Sequence, residues 1–174
     1  MVKRSLIVFK ILTAALIVFP FFVKAVSVGE PAPEFSLPLL DEPGTLVSLN
    51  SSSGKVRYVD FWASWCAPCR ISLPAIINLQ NELSSEQFEV IAVNVDENPR
   101  DAQRFLRRYA LKHNVLSDPQ GEVAAKYELP GMPTSFLVDG NGRVVYRHLG
   151  FKENDIEIIK KQVLGLLEAI ANAN

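Results

Sequence analysis

Cys66 and Cys69 are the only cysteines in the chain, and they stand as Cys66-Ala67-Pro68-Cys69. Two thiols at this spacing admit few chemistries. A zinc site wants about four ligands, and the sequence offers only His113 and His148 besides, 35 residues apart and without the short spacing of zinc modules. A purely structural disulfide would close so short a loop that it gains only about 2 kcal/mol, against about 3 for a 15-residue loop. Two soft thiolates could also carry Cu(I). The remaining chemistry is thiol-disulfide exchange. At the start of a helix, unpaired N–H groups and the helix dipole stabilise a thiolate, lower its pKa and make it a nucleophile. Cys66, at the exposed end, is then the attacking sulfur. Cys69, one turn inward, can displace the product from the mixed disulfide.

The flanking sequence predicts elements that would hold such a pair. Residues 56–62, Val-Arg-Tyr-Val-Asp-Phe-Trp, suit a buried strand leading into the cysteines. Apolar residues at Ile71, Leu73, Ile76, Leu79 and Leu83 predict a helix from Cys66 to about residue 84, with Pro74 as a kink. Further strands are expected at 88–95, briefly at 116–118, and at 134–138 and 143–148, the last two joined by Asp139-Gly140-Asn141-Gly142. Helices are expected at 101–111, 122–127 and 153–171, and a short strand pair at 34–40 and 45–49 around Asp41-Glu42-Pro43-Gly44. A loop is marked at 51–54. This order predicts an α/β fold, a central mixed sheet with helices on both faces.

With 174 residues the chain has room for one ordinary domain, and 48% apolar with 21% charged residues excludes a disordered or fibrous protein. Lys3, Arg4, Lys10 and Lys24 are unopposed by any acid in residues 1–25, so removing them from a net charge of −1 leaves a body of −5. Such a body has no electrostatic footprint for nucleic acid. Residues 1–25 combine a basic start, an apolar run, the breaker Pro20 and a small residue, Ala25, and are expected to be an export signal or an N-terminal membrane anchor. Either address puts residues 26–174 outside the cytosol, where free core thiols are uncommon.

The run Val59-Asp60-Phe61-Trp62-Ala63-Ser64-Trp65-Cys66-Ala67-Pro68-Cys69 resembles the active-site signature of the thioredoxin superfamily. The likeness extends to Pro74 and to Leu129-Pro130-Gly131-Met132-Pro133-Thr134, and covers about residues 28–170. With the Gly29-Glu30-Pro31-Ala32-Pro33-Glu34-Phe35 lead-in, the chain is most similar to the extracytoplasmic TlpA/ResA branch. The resemblance implies a thioredoxin-like three-layer sandwich and a redox-active Cys66/Cys69 disulfide. It also implies Asp60 as the buried acid that moves protons for Cys69, Pro133 as a cis proline facing the cysteines, and Met132 and Trp65 as substrate-contacting residues. An Asp inside an apolar strand should in any case have a raised pKa. The branch further implies reduction of protein disulfides, including those of apocytochrome c, and a membrane-embedded electron donor. The periplasm or the outer face of the membrane, a monomer, and no cofactor or metal complete these expectations. Two alternatives from the same fold are a disulfide oxidant and a copper carrier, although the His that copper carriers add has no counterpart here. A peroxiredoxin would need a Pro-x-x-x-Thr-x-x-Cys context that Cys66 lacks. Outside this constellation, His113 and His148 are expected at the surface, and Arg104, Arg107, Arg108 and Lys112 on a solvated helix face or a docking surface.

Overall fold

The computed structural model describes residues 25–49, 54–83, 86–109 and 115–172. Its elements in chain order are β1 (Ser36–Pro38), β2 (Leu46–Ser48), β3 (Val56–Trp62), α1 (Cys69–Leu83), β4 (Phe88–Asn94), α2 (Pro99–Leu106), β5 (Val115–Ser117), α3 (Glu122–Lys126), β6 (Thr134–Val138), β7 (Val144–Leu149) and α4 (Asp155–Ala171). The main sheet has the order β5-β4-β3-β6-β7, and β1 pairs with β2 in a separate hairpin. The three strands β3, β4 and β5 are parallel, whereas β6 runs antiparallel to β3, and β7 to β6. This is the α/β mixed sheet that the order of elements predicts.

All seven residues of β3 are buried, as befits a central strand covered on both faces. The connections β3-α1-β4 and β4-α2-β5 step the same way across the sheet, and right-handed crossovers therefore place α1 and α2 on one face. Helix α4 joins them there, with Ile159 and Val163 packed among Tyr58, Ile76, Leu79 and Val90. The opposite face is closed by α3 and the β1–β2 hairpin, where Val123 and Tyr127 meet Val59, Phe61 and Phe136. Tyr127 anchors that layer: its ring lies 4.9 Å from Phe61 and 5.0 Å from Phe136, and its hydroxyl donates to the Pro33 carbonyl at 3.0 Å. Side chains alternate along a strand, so Asp60 shares the α1 face with Tyr58 and Trp62.

The boundaries differ from the sequence expectation in instructive places. Helix α1 begins at Cys69, and Cys66 belongs to the turn before it. Ile71 is 57% exposed, because the buried stripe runs through Cys69, Ser72, Leu73, Ile76, Ile77 and Leu79, and a residue two positions from Leu73 falls on the far side of the helix. Helix α2 starts two residues early, capped by the Asn98 side chain with Pro99 at its first position, and ends by Leu106. Gly140 sits so close to Gly54 that an added Cβ would lie 2.8 Å from the Gly54 carbonyl oxygen, so this crossing of two backbones needs glycine. The N-terminal address at 1–24, most of the 51–54 loop, His113 and Lys112 lie outside the described residues.

Candidate functional site

Strand β3 ends at Trp62, and the chain turns through Ala63, Ser64 and Trp65 to reach the cysteines. The Cys66 N–H donates to the Ala63 carbonyl at 3.2 Å, and the Arg70 and Ser72 amides bond back to Ala67 and Pro68 at 3.2 and 3.0 Å. The helix therefore nucleates on the dipeptide between the sulfurs. Cys66 and Cys69 form a disulfide, with 5.2 Å between their Cα atoms. The Cys69 backbone N–H points at the Cys66 Sγ, 3.2 Å away. A helix N-terminal donor aimed at this sulfur favours the anionic form once the bond is reduced. Cys66 retains 5% exposure and Cys69 none, so of the two cysteines Cys66 is the one nearer solvent.

Asp60 is fully buried on the same sheet face, directly opposite Ser135 of β6. The Ser135 hydroxyl donates to its Oδ1 at 2.6 Å, and Oδ2 has no partner among the described residues. Burial pushes the Asp60 pKa up to about 7, with the Ser135 hydrogen bond acting weakly the other way. This carboxyl can therefore take or release a proton near neutral pH. Ser135 gives its one hydroxyl proton to Asp60, and the buried Tyr58 hydroxyl, near Ser135, makes no well-formed hydrogen bond. Burial, and then the charge of Asp60, raise the Tyr58 pKa well above the usual phenol value.

The other expected site residues gather at the same end of the sheet. The Met132–Pro133 peptide bond is cis, and Pro133 is buried. Met132 packs against the cluster that contains Cys66, Cys69 and Trp62. The loop is fastened by the Thr134 hydroxyl, which donates to the Gly131 carbonyl at 2.7 Å. Trp65 is 65% exposed beside Cys66, whereas Trp62 is buried and tilts onto Phe105 with ring centroids 5.4 Å apart. His148 is not a surface residue: its ring is held between the Tyr146 hydroxyl and the Asp155 carboxylate, each at 3.2 Å, with 11% of the side chain exposed.

Sequence reasoning missed two supports. Ser135 is one. The other is Asp96, 2% exposed beyond the end of β4, which accepts from the Ser64 N–H at 3.0 Å, the Ser64 hydroxyl at 3.0 Å and the Asn94 amide at 2.8 Å. It clamps the turn that presents Trp65 and Cys66. The Asn94-Val95-Asp96 stretch after the expected strand was the available signal, since ligand and active-site groups of open α/β sheets gather beyond the carboxyl ends of the strands.

A family model described as Redoxin matches residues 27–163. The thiol-disulfide oxidoreductase ResA of Bacillus cereus is 32% identical over 143 residues, which cover 82% of this chain and 78% of that protein. The thiol:disulfide interchange protein HelX of Rhodobacter capsulatus is 33% identical over 145 residues, covering 83% and 79% of the two chains. Among solved structures, a protein provisionally described as the thiol:disulfide interchange protein DsbE of Chlorobium tepidum superposes with a TM-score of 0.77 at 40% identity, over 82% of this chain and 99% of its own.

Proposed function

This chain belongs to the Redoxin family, as a ResA-like thiol-disulfide oxidoreductase of the thioredoxin superfamily, and we propose that it works outside the cytosol as a reductant of protein disulfides. In the reduced protein the Cys66 thiolate attacks one sulfur of a substrate disulfide, forms a mixed disulfide and expels the first substrate thiolate. Cys69 then loses its proton, with Asp60 as the acceptor in the buried layer, and attacks the Cys66 Sγ. The second substrate thiolate leaves, and the Cys66–Cys69 bond seen in the structure is formed. Two electrons pass to the substrate and are restored by a dithiol donor, assigned to a membrane-embedded protein as in the branch it resembles. Trp65, Met132 and Pro133 frame the outer sulfur as the substrate surface.

The observation that carries this reading is the backbone N–H aimed at the Cys66 sulfur, with a half-satisfied buried carboxyl, Asp60, of pKa about 7 on the α1 side of β3. The reducing direction is supported by Ala67-Pro68, which lacks the His of strongly oxidising dipeptides. Apocytochrome c is the proposed substrate, and residues 1–25 the proposed export signal or anchor. Trapping tests it. Reduced Cys69→Ala protein should form a lasting Cys66 mixed disulfide with an oxidised apocytochrome c peptide, identified by its mass. The wild-type pair should equilibrate nearer the roughly −270 mV than the roughly −120 mV end of the range for this fold. A pair poised at the oxidising end would overturn the proposed direction.

A further inference from the structure

From Ser64 and Trp65, next to Cys66 in the chain, a groove extends away from the substrate surface assigned above. Trp65 and Arg70 line one side and Asp101, Arg104, Phe105 and Arg108 the other, around a cavity of about 290 Å³. Its charge runs against that of the body, which is −5 without the first 25 residues. Three guanidinium groups, Arg70 of α1, Arg104 of α2 and Arg108 of the turn after α2, converge on a space that contains one carboxylate. That carboxylate is engaged, since Asp101 Oδ1 lies 3.0 Å from Arg104 Nη1. Arg70 and Arg108 are exposed and take part in none of the ion pairs among the described residues. A solvated arginine face on α2 alone would leave Arg70, across the cavity on α1, without a reason to share it. The floor is firm: Phe105 is 7% exposed and its ring tilts against both Trp62 and Tyr109, with centroids 5.4 and 5.2 Å away. The rim carries Trp65, 65% exposed and adjacent to the reacting sulfur. Tryptophan and arginine are the side chains that most often dominate binding energy at protein interfaces, and guanidinium pairs carboxylate through two parallel hydrogen bonds.

We propose that this groove docks the segment flanking the reacting cysteine of a protein substrate and selects segments that carry carboxylates. The inference rests on the thiol-disulfide exchange assigned above to Cys66 and specifies its substrate class. Substrates with Asp or Glu near the cysteine are drawn toward Arg70 and Arg108 before the sulfurs meet, and the attraction weakens as salt screens it.

Two peptides of equal length, each closed by one internal disulfide, test this: one has two Glu and the other two Lys beside the bridge. The full-length reduced protein is mixed with each, and with the neutral bis(2-hydroxyethyl) disulfide, whose rate normalises for the reactivity of the redox pair itself. The Glu peptide should react about 10-fold faster than the Lys peptide at low ionic strength, and the ratio should shrink toward one at about 0.5 M salt. In the Arg70→Gln/Arg108→Gln double variant the normalised ratio should fall to within about 2-fold, since exposed charges act mainly through salt-screened attraction. A wild-type ratio near one or favouring Lys overturns the proposal, as does a ratio that survives in the double variant. Salt-sensitive binding to phosphatidylglycerol vesicles that the double variant loses, with no preference between the peptides, would reassign the groove to an anionic surface. Failure of the wild type to exchange with all three disulfides would sink the redox reading itself, which loss of the peptide preference alone leaves standing.

Discussion

Asp60 and Asp96 are both closed off from solvent, yet their surroundings treat them differently. Asp96, at the end of β4, accepts from the Ser64 amide, the Ser64 hydroxyl and the Asn94 amide, and its own N–H returns a bond to Asn94 Oδ1 at 3.1 Å. Asp60, in the middle of β3, has the Ser135 hydroxyl on one oxygen and nothing on the other among the described residues. Burial penalises a carboxylate, and each donor offsets part of that penalty. The two carboxyls thus differ in how many donors the fold supplies, three for Asp96 and one for Asp60. Both were placed by one strand's length of sequence, and neither role follows from being an aspartate.

The largest expected effect that could break this contrast is on pH and stability. The Asp60 pKa rises from about 4 in an unfolded chain to about 7 in the oxidised fold. The folded protein therefore holds a proton that the unfolded chain releases. The stability associated with that proton is complete below about pH 4, declines as pH rises, and is lost by the time pH has passed through about 7. Three pH units correspond to on the order of 4 kcal/mol. Asp60→Asn should remove this slope, so the difference in unfolding free energy between variant and wild type should change by about that amount between pH 4 and 8. Urea denaturation of the oxidised proteins measures it, and a constant difference across that range would mean that Asp60 keeps an ordinary pKa.

A somewhat smaller effect is expected from the other carboxyl. Asp96→Ala leaves three donors around Ser64 and Asn94 without their acceptor and should cost about 3 kcal/mol. The same denaturation experiment reads it, and a loss under about 0.5 kcal/mol would show that the Ser64–Trp65 turn is held from elsewhere. The smallest effect sharpens the first. Ser135→Ala should cost about 1 kcal/mol and move the midpoint of the Asp60-linked pH transition upward, because the removed hydroxyl favours the carboxylate. A downward move would contradict the donor-counting view.

Much of the site was legible because it is local. Cys66, Cys69 and the strand before them occupy one continuous stretch, and the same stretch contains Asp60, whose placement in an apolar strand was enough to expect a raised pKa. The α/β order followed from alternating periods of two and 3.6. What escaped was set by pairing across the sheet. Ser135 meets Asp60 only because β6 runs antiparallel to β3 in one register, 75 residues away in sequence. Asp96 reaches Ser64 across 32 residues. His148 looked like a surface residue because its partner Asp155 belongs to the next element, α4. Ile71 shows the converse: an apolar residue counted into the core stripe that the helical phase turns to solvent. The early start of α2 was written locally in Asn98-Pro99, and reading the cap before the periodicity would have found it.

The unequal cover over the two sulfurs also bears on oxidative damage. A peroxide that reaches the reduced protein finds Cys66, while Cys69 has no exposed surface. Cys66 converted to a sulfenic acid would lie within bonding reach of the Cys69 thiol. Condensation of the two expels water and restores the disulfide of the ordinary cycle, before a second equivalent of oxidant can carry the sulfur to the irreversible sulfinic stage. The packing that leaves one cysteine within reach of solvent thereby keeps the other in reserve as its repair.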